Sequence, residues 1–237
     1  MLRVDAIDVY IEASQILRRV SLEVGAREVV CVVGRNGAGK TTTLRTIMGY
    51  LAPQSGRVEW NGAPIHGRRP FEIARLGVGW APEDSGIFAD LTVAENIEIS
   101  TWTRPEGRPA AERVEEAYRV FPALRRYAGR KGPEMSGGER KMLSIARALA
   151  LDPDMLLLDE PFEGLSPAIA PVVAEGIAAI TSRGRSILMA ESNIDHVPAF
   201  ASRLYLIERG EIVFAGPPAA ASADPAVLRV MGGLPRG

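Results

Sequence analysis

The sequence predicts an α/β fold in which strand–turn–helix units near the two ends of the chain enclose a helical insert. Three observations carry this. Val29-Val30-Cys31-Val32-Val33 and Met155-Leu156-Leu157-Leu158 are unbroken apolar runs, the mark of strands covered on both faces. Each run is followed by turn residues and then by a helical pattern, the order expected of an α/β core. Between them, from Thr92 to about Ala150, apolar residues recur at helical spacing among Glu and Arg side chains.

The elements follow in order. Leu2, Val4, Val20, Leu22 and Val24 alternate with polar residues and read as half-buried strands, stopped by Gly25. Val29 to Val33 is a buried strand, and Gly34 to Gly39 a glycine-rich turn. Lys40 to Tyr50 reads as a helix with Leu44, Ile47 and Met48 on one face. Turns from Pro53 to Pro70 surround a short strand, Arg57 to Trp60. Inside the helical insert, Arg104 to Pro109 is a loop. Met155 to Leu158 is a strand, Pro167 to Ser182 a helix and Ser186 to Ala190 a further buried strand. Leu204 to Ile207 and Glu211 to Ala215 form a hairpin through Arg209-Gly210.

Composition narrows the functional classes. The 237 residues carry 28 Lys and Arg against 29 Asp and Glu, a net charge of −1. A chain held to nucleic acid by bulk electrostatics is ordinarily basic, so no nucleic-acid partner is expected. The single cysteine, Cys31, makes no internal disulfide, which suits a reducing compartment. The first ten residues show no apolar core of a secretory signal. No apolar run reaches the roughly 18–20 residues of a membrane span. The expectation is a soluble, cytoplasmic protein.

Three motifs carry chemistry. Gly34-Arg35-Asn36-Gly37-Ala38-Gly39-Lys40-Thr41 fits G-x-x-x-x-G-K-[ST] between a buried strand and a helix. Such glycines turn backbone N–H groups inward around phosphate oxygens, and the helix end behind them adds positive potential. Lys40 would reach the β- and γ-phosphates, and the Thr41 hydroxyl would ligate Mg²⁺. Asp159 and Glu160 follow the second apolar run, where α/β sheets bind ligands. Asp159 would hold Mg²⁺ through water, and Glu160 would polarise the water that attacks the γ-phosphate. Ser136-Gly137-Gly138-Glu139 precedes the helical pattern of Met142, Leu143, Ile145, Ala146 and Leu149. Ser136 can cap that helix, making a second helix start with exposed amides.

Together these motifs resemble the ATP-binding cassette (ABC) family over roughly residues 2 to 216. The resemblance implies an α/β P-loop NTPase core of ABC-ATPase type, residues 1–84 and 151–216, with an N-terminal antiparallel β subdomain. It implies an inserted α-helical subdomain, residues 85–150, that carries the signature motif, and a tail at 217–237. ATP and Mg²⁺ are the implied cofactors. The implied nucleotide-binding set is Gly34 through Thr41 together with Thr42. The implied partner is a second cassette, identical or homologous, paired head to tail so that Ser136, Gly137, Gly138 and Glu139 close over its ATP.

The segment from Ala81 to Asn96 resembles the family's Q-loop, with Glu83 where most members have Gln. Glu83 and the phrase Phe162-Glu163-Gly164-Leu165-Ser166-Pro167 are similar to one branch, the smaller cassette of branched-chain amino-acid importers. Glu83 can approach Mg²⁺ through oxygen, but when ionised it cannot donate as Gln does. Ser192 stands where the family has a γ-phosphate-contacting His, while His196, four residues on, reads as an exposed loop or helix residue. The aromatic position that stacks on adenine falls on Ile11, and Tyr10 is one residue earlier. Adjacent strand residues face opposite ways, so Tyr10 reaches the base only if the loop shifts.

The implied function is the ATPase subunit of an importer for branched-chain amino acids or related small solutes, on the cytoplasmic face of the inner membrane. Its partners would be transmembrane permease subunits and, indirectly, a periplasmic solute-binding protein. The alternatives are an importer for urea or amides, and an ATP-dependent dimer clamp with weak hydrolysis. Soluble tandem cassettes acting on ribosomes or DNA fit poorly, because the chain has neither a second cassette nor a long inserted coiled coil.

Overall fold

A computed structural model describes residues 1–232. Its strands are β1 (Leu2–Ile11), β2 (Ser14–Val24), β3 (Val29–Val33), β4 (Ser55–Trp60), β5 (Ala63–Pro64), β6 (Val78–Ala81), β7 (Met155–Asp159), β8 (Ser186–Glu191), β9 (Arg203–Glu208) and β10 (Glu211–Gly216). Its helices are α1 (Lys40–Ile47), α2 (Pro70–Arg75), α3 (Val93–Glu98), α4 (Ala110–Val120), α5 (Pro122–Arg126), α6 (Gly137–Ala150), α7 (Ala170–Ser182), α8 (Pro218–Ala221) and α9 (Pro225–Met231). The chain divides into two compact units, one of residues 1–73 with those from Ser186 onward, the other of Ala74–Arg185.

The first unit is built from strands. β1 lies between β2 and β4 in an antiparallel sheet that ends on β5. Alternate residues Leu2, Val4, Val20, Leu22 and Val24 are buried, as period-two patterning requires. In a second layer β3 runs parallel to both β8 and β9, and β10 pairs antiparallel with β9. All five residues of β3 are buried, which explains its unbroken apolar composition. Cys31 lies within it. Burial, and secondarily the charge of Glu191, push its thiol up to about 12, so it packs as a small apolar residue.

The second unit pairs β6 with β7 in parallel, with α6 against them, α3, α4 and α5 against α6, and α7 against α4. Phe121 is fully buried, and Gly176 on α7 makes room for it: a Cβ there would lie 2.4 Å from the ring. A partly buried ionic network joins three parts of this unit. Asp152, before β7, receives Arg108 at 2.7 Å and Arg185 at 2.8 Å. Glu116 on α4 also pairs with Arg108, and Arg183 lies 3.4 Å from it. Burial alone would raise the Asp152 carboxyl, but the hydrogen bonds and charges of Arg108 and Arg185 hold it well below the usual carboxylate range.

Asp152→Ala is expected to cost about 3 kcal/mol, because it leaves partly buried guanidinium groups without their anion. The sign with pH follows from the depressed pKa. The network's stabilisation is present at neutral pH and is lost as pH falls below about 4 towards the folded value. Urea unfolding at pH 7 and at successively lower pH, for wild type and Asp152→Asn, checks this. The wild-type stability should fall more steeply with acid.

Several boundaries differ from the sequence reading. The helix expected to reach Tyr50 ends at Ile47, because Gly49 takes φ +77° and turns the chain left-handed. The helix expected from Pro167 begins at Ala170. Strand β6 and helix α2 carried too little pattern to be read: β6 is four residues long and includes Gly79 and Trp80. Among the described residues no helix is long and apolar enough to cross a membrane.

Candidate functional site

In the first unit the fold gathers the glycine-rich loop onto the C-terminal end of β3. The Gly34 amide donates to the Glu191 carbonyl at 3.2 Å, and the Gly210 amide donates to the Ala38 carbonyl at 2.9 Å. Gly34 is obligatory, since a Cβ there would sit 2.3 Å from the Ile207 carbonyl oxygen. Gly39 adopts φ +113° and precedes α1 with no side-chain cap. Its Cβ would lie 2.6 Å from Leu17 Cδ2, so the β1–β2 hairpin packs directly on the loop. The amides of a first helical turn have no intrahelical acceptor and therefore favour an anion.

The ammonium of Lys40 is buried and folds back on the loop, donating to the carbonyls of Gly34 at 2.7 Å and Arg35 at 3.2 Å. Thr41 and Thr42 are half-buried, while Arg35, Asn36 and Gly37 are exposed. The outer flank of the loop borders a pocket of about 260 Å³ whose lining includes Arg209 and Arg229. Tyr10 and Ile11 are both exposed at the end of β1, where the pairing register shifts between Val9 and Tyr10. Ser192 is half-buried just beyond β8.

In the second unit β7 delivers two carboxylates. Asp159 is its last residue, and Glu160 follows it with φ +48°. A non-glycine residue in that region is strained, a feature that concentrates at functional sites. Both are almost fully buried. Glu83 lies near Glu160 and Glu163. Partial burial first, then the charges of those two acids, raise its carboxyl above the ordinary value, against the lowering charge of Lys141. Helix α6 anchors this segment from below: Lys141 donates to the Glu83 carbonyl at 2.8 Å, and Arg147 donates to the carbonyls of Ser85 and Gly86. Asn96, fully buried, accepts the Phe88 amide at 2.9 Å and donates to the Phe88 and Leu91 carbonyls.

The start of α6 is a reciprocal cap. The Ser136 hydroxyl accepts the Glu139 amide at 3.3 Å, and the Glu139 carboxylate accepts the Ser136 amide at 2.7 Å. Ser136 and Gly137 are exposed, and a Cβ on Gly137 would meet nothing within 4 Å. Gly138 instead packs on Ile169.

Residues 17–163 match the model of the ABC transporter family. The chain belongs to the ABC transporter family. It is an ATPase of the cassette type. At 36% identity it resembles the high-affinity branched-chain amino acid transport ATP-binding protein BraG of Pseudomonas aeruginosa, over 96% of this chain and 97% of that protein. At 34% identity it resembles the lipopolysaccharide export system ATP-binding protein LptB of Acidithiobacillus ferridurans, over 91% of this chain and 89% of that protein. A crystal structure of the ADP conformation of an ATP-binding cassette of an ABC transporter superposes with a TM-score of 0.83 at 27% identity, covering 99% of both chains.

One feature of this cassette departs from the sequence reading. His196 is no simple surface histidine: it is half-buried, and its Nδ1 lies 3.0 Å from Oε2 of the fully buried Glu191. The five-residue spacing alone does not announce this contact, because it depends on the turn at Asn193. Among the described residues no cluster of three or more His, Cys, Asp or Glu side chains is spaced as a metal cage. The Thr41 hydroxyl in the first unit and the Asp159 carboxylate in the second are each hard oxygen donors, the chemistry Mg²⁺ prefers, and Mg²⁺ needs few protein ligands beside phosphates and water.

Proposed function

We propose that this cassette energises an importer for branched-chain amino acids or related small solutes, as a peripheral subunit on the cytoplasmic face of the membrane. The observation that carries the substrate class is the near end-to-end match to BraG. Glu83 in place of the usual Gln adds to it.

In this reading the amides of Gly34 to Thr42 and the Lys40 ammonium bind the ATP phosphates, with Tyr10 or Ile11 against the adenine. Thr41, Asp159 and Glu83 would hold Mg²⁺ through oxygen or water, and the bound ion would supply charge neutralisation at the phosphates. Glu160 takes the proton of the attacking water, and Ser192 donates to the γ-phosphate. A second cassette, identical or homologous, pairs head to tail and places its own Ser136, Gly137, Gly138 and Glu139 positions over the same phosphate. A site completed only by a partner makes ATP occupancy favour the closed dimer, and phosphate loss reopens it. Transmembrane permeases receive that motion.

The match to LptB supports a second reading, the motor of an envelope-lipid exporter. Uptake of radiolabelled leucine, valine and urea in cells lacking this chain separates them. Under the importer reading, uptake of at least one solute falls to background and returns with the wild-type chain. Normal uptake of all three together with an envelope defect would favour export.

A further inference from the structure

The chain leaving β8 folds back on the last residue of that strand. Glu191 is 0% exposed and stands in register beside Val33, the residue before the phosphate loop. Its carbonyl receives the Gly34 amide. Ser192 follows. Asn193 then turns the chain, its side-chain oxygen accepting the Asp195 amide at 3.0 Å, and opens a single 3-10 turn, Ile194–His196. That turn returns the His196 imidazole to the Glu191 carboxylate at 3.0 Å. The excursion that carries Ser192 is therefore fastened at both ends, to Gly34 through the main chain of Glu191 and to His196 through its side chain.

We propose that His196 is a positioning residue for ATP hydrolysis, holding Glu191 so that Ser192 and the first phosphate-loop glycine keep a fixed separation. This rests on the reading of Ser192 as the γ-phosphate contact. A buried carboxylate is costly without hydrogen-bond or charge partners. Without the imidazole, the Glu191 carboxylate loses one of its buried partners and shifts, and the displacement reaches Ser192 on one side and the Gly34 amide on the other. Shifts of about 1 Å in a positioning group are enough to slow chemistry substantially. ATP affinity is set mainly by the loop amides and Lys40, so it is little changed.

The test uses the purified full-length chain, measuring ATP turnover, KM for ATP and melting temperature. The variants are Ser192→Ala, His196→Ala, His196→Asn and the Ser192→Ala/His196→Ala pair. His196→Ala is expected to lower kcat about tenfold with KM within about twofold of wild type. His196→Asn, whose amide nitrogen can stand in for Nδ1, recovers most of the rate. The double variant is no slower than the slower single one, because His196 acts through Ser192. Three results overturn the proposal while leaving the Ser192 reading intact, given a slow Ser192→Ala: a normal rate in His196→Ala, no recovery in His196→Asn, or a KM that rises in proportion. Undiminished turnover in Ser192→Ala removes the Ser192 reading itself, and the proposal with it.

Discussion

Lys40→Ala is expected to abolish measurable ATP turnover and to weaken ATP binding about 10²- to 10³-fold, a loss of about 3–4 kcal/mol. The Lys40 ammonium is buried and bonded to two neutral carbonyls, those of Gly34 and Arg35. Exchanging those neutral acceptors for anionic phosphate oxygens adds the attraction of opposite charges to bonds already assisted by the donor's charge. Alanine removes this exchange and leaves the loop's amides to hold those phosphate oxygens without the lysine. The effect should be local, because alanine is a good helix former at the start of α1. A circular-dichroism melt close to wild type establishes that the variant is folded. Titration with a fluorescent nucleotide and a phosphate-release assay then read binding and turnover. Turnover at the wild-type rate in this variant would sink the assignment of the phosphate loop.

The second large effect is expected from Glu160→Gln. Glutamine keeps the size of the side chain and its place after β7 but cannot take a proton. Loss of a positioned general base costs about 10²–10⁴ in rate. Nucleotide affinity should be retained, since no binding group is removed. If hydrolysis is what reopens a paired state, the variant should also accumulate as a dimer with ATP in size-exclusion chromatography. Single-turnover rates decide between enzyme and clamp. Equal, slow rates in wild type and variant would favour the dimer clamp.

What could be read from the sequence was whatever consecutive residues encode. The stretch Gly34 to Thr41 names its own chemistry because phosphate binding needs glycines and a lysine at fixed offsets. Asp159 and Glu160 stand out because they end an apolar run. Ser136 as a helix cap was legible because it precedes a helical pattern, and the structure adds the reciprocal bond from Glu139. The unread parts depend on distant residues or on very local backbone geometry. The Asp152 network joins side chains from Arg108 to Arg185, and no spacing rule connects them. The link between Glu191 and His196 needs the turn at Asn193, which composition alone does not announce. Strand β6 escaped because a glycine and a tryptophan in four residues leave no periodicity to detect.

Cys31 has a practical consequence. Thiol-reactive probes attack the thiolate, and a thiol with its pKa raised to about 12 is almost entirely protonated at neutral pH. It also has no exposed surface. To a maleimide or a spin label the described molecule is thus effectively cysteine-free as nature wrote it. Reporter cysteines can be introduced on surface positions, one at a time or in pairs, without first removing the native thiol. The motions proposed to follow ATP binding are then open to distance measurement in an otherwise unaltered sequence.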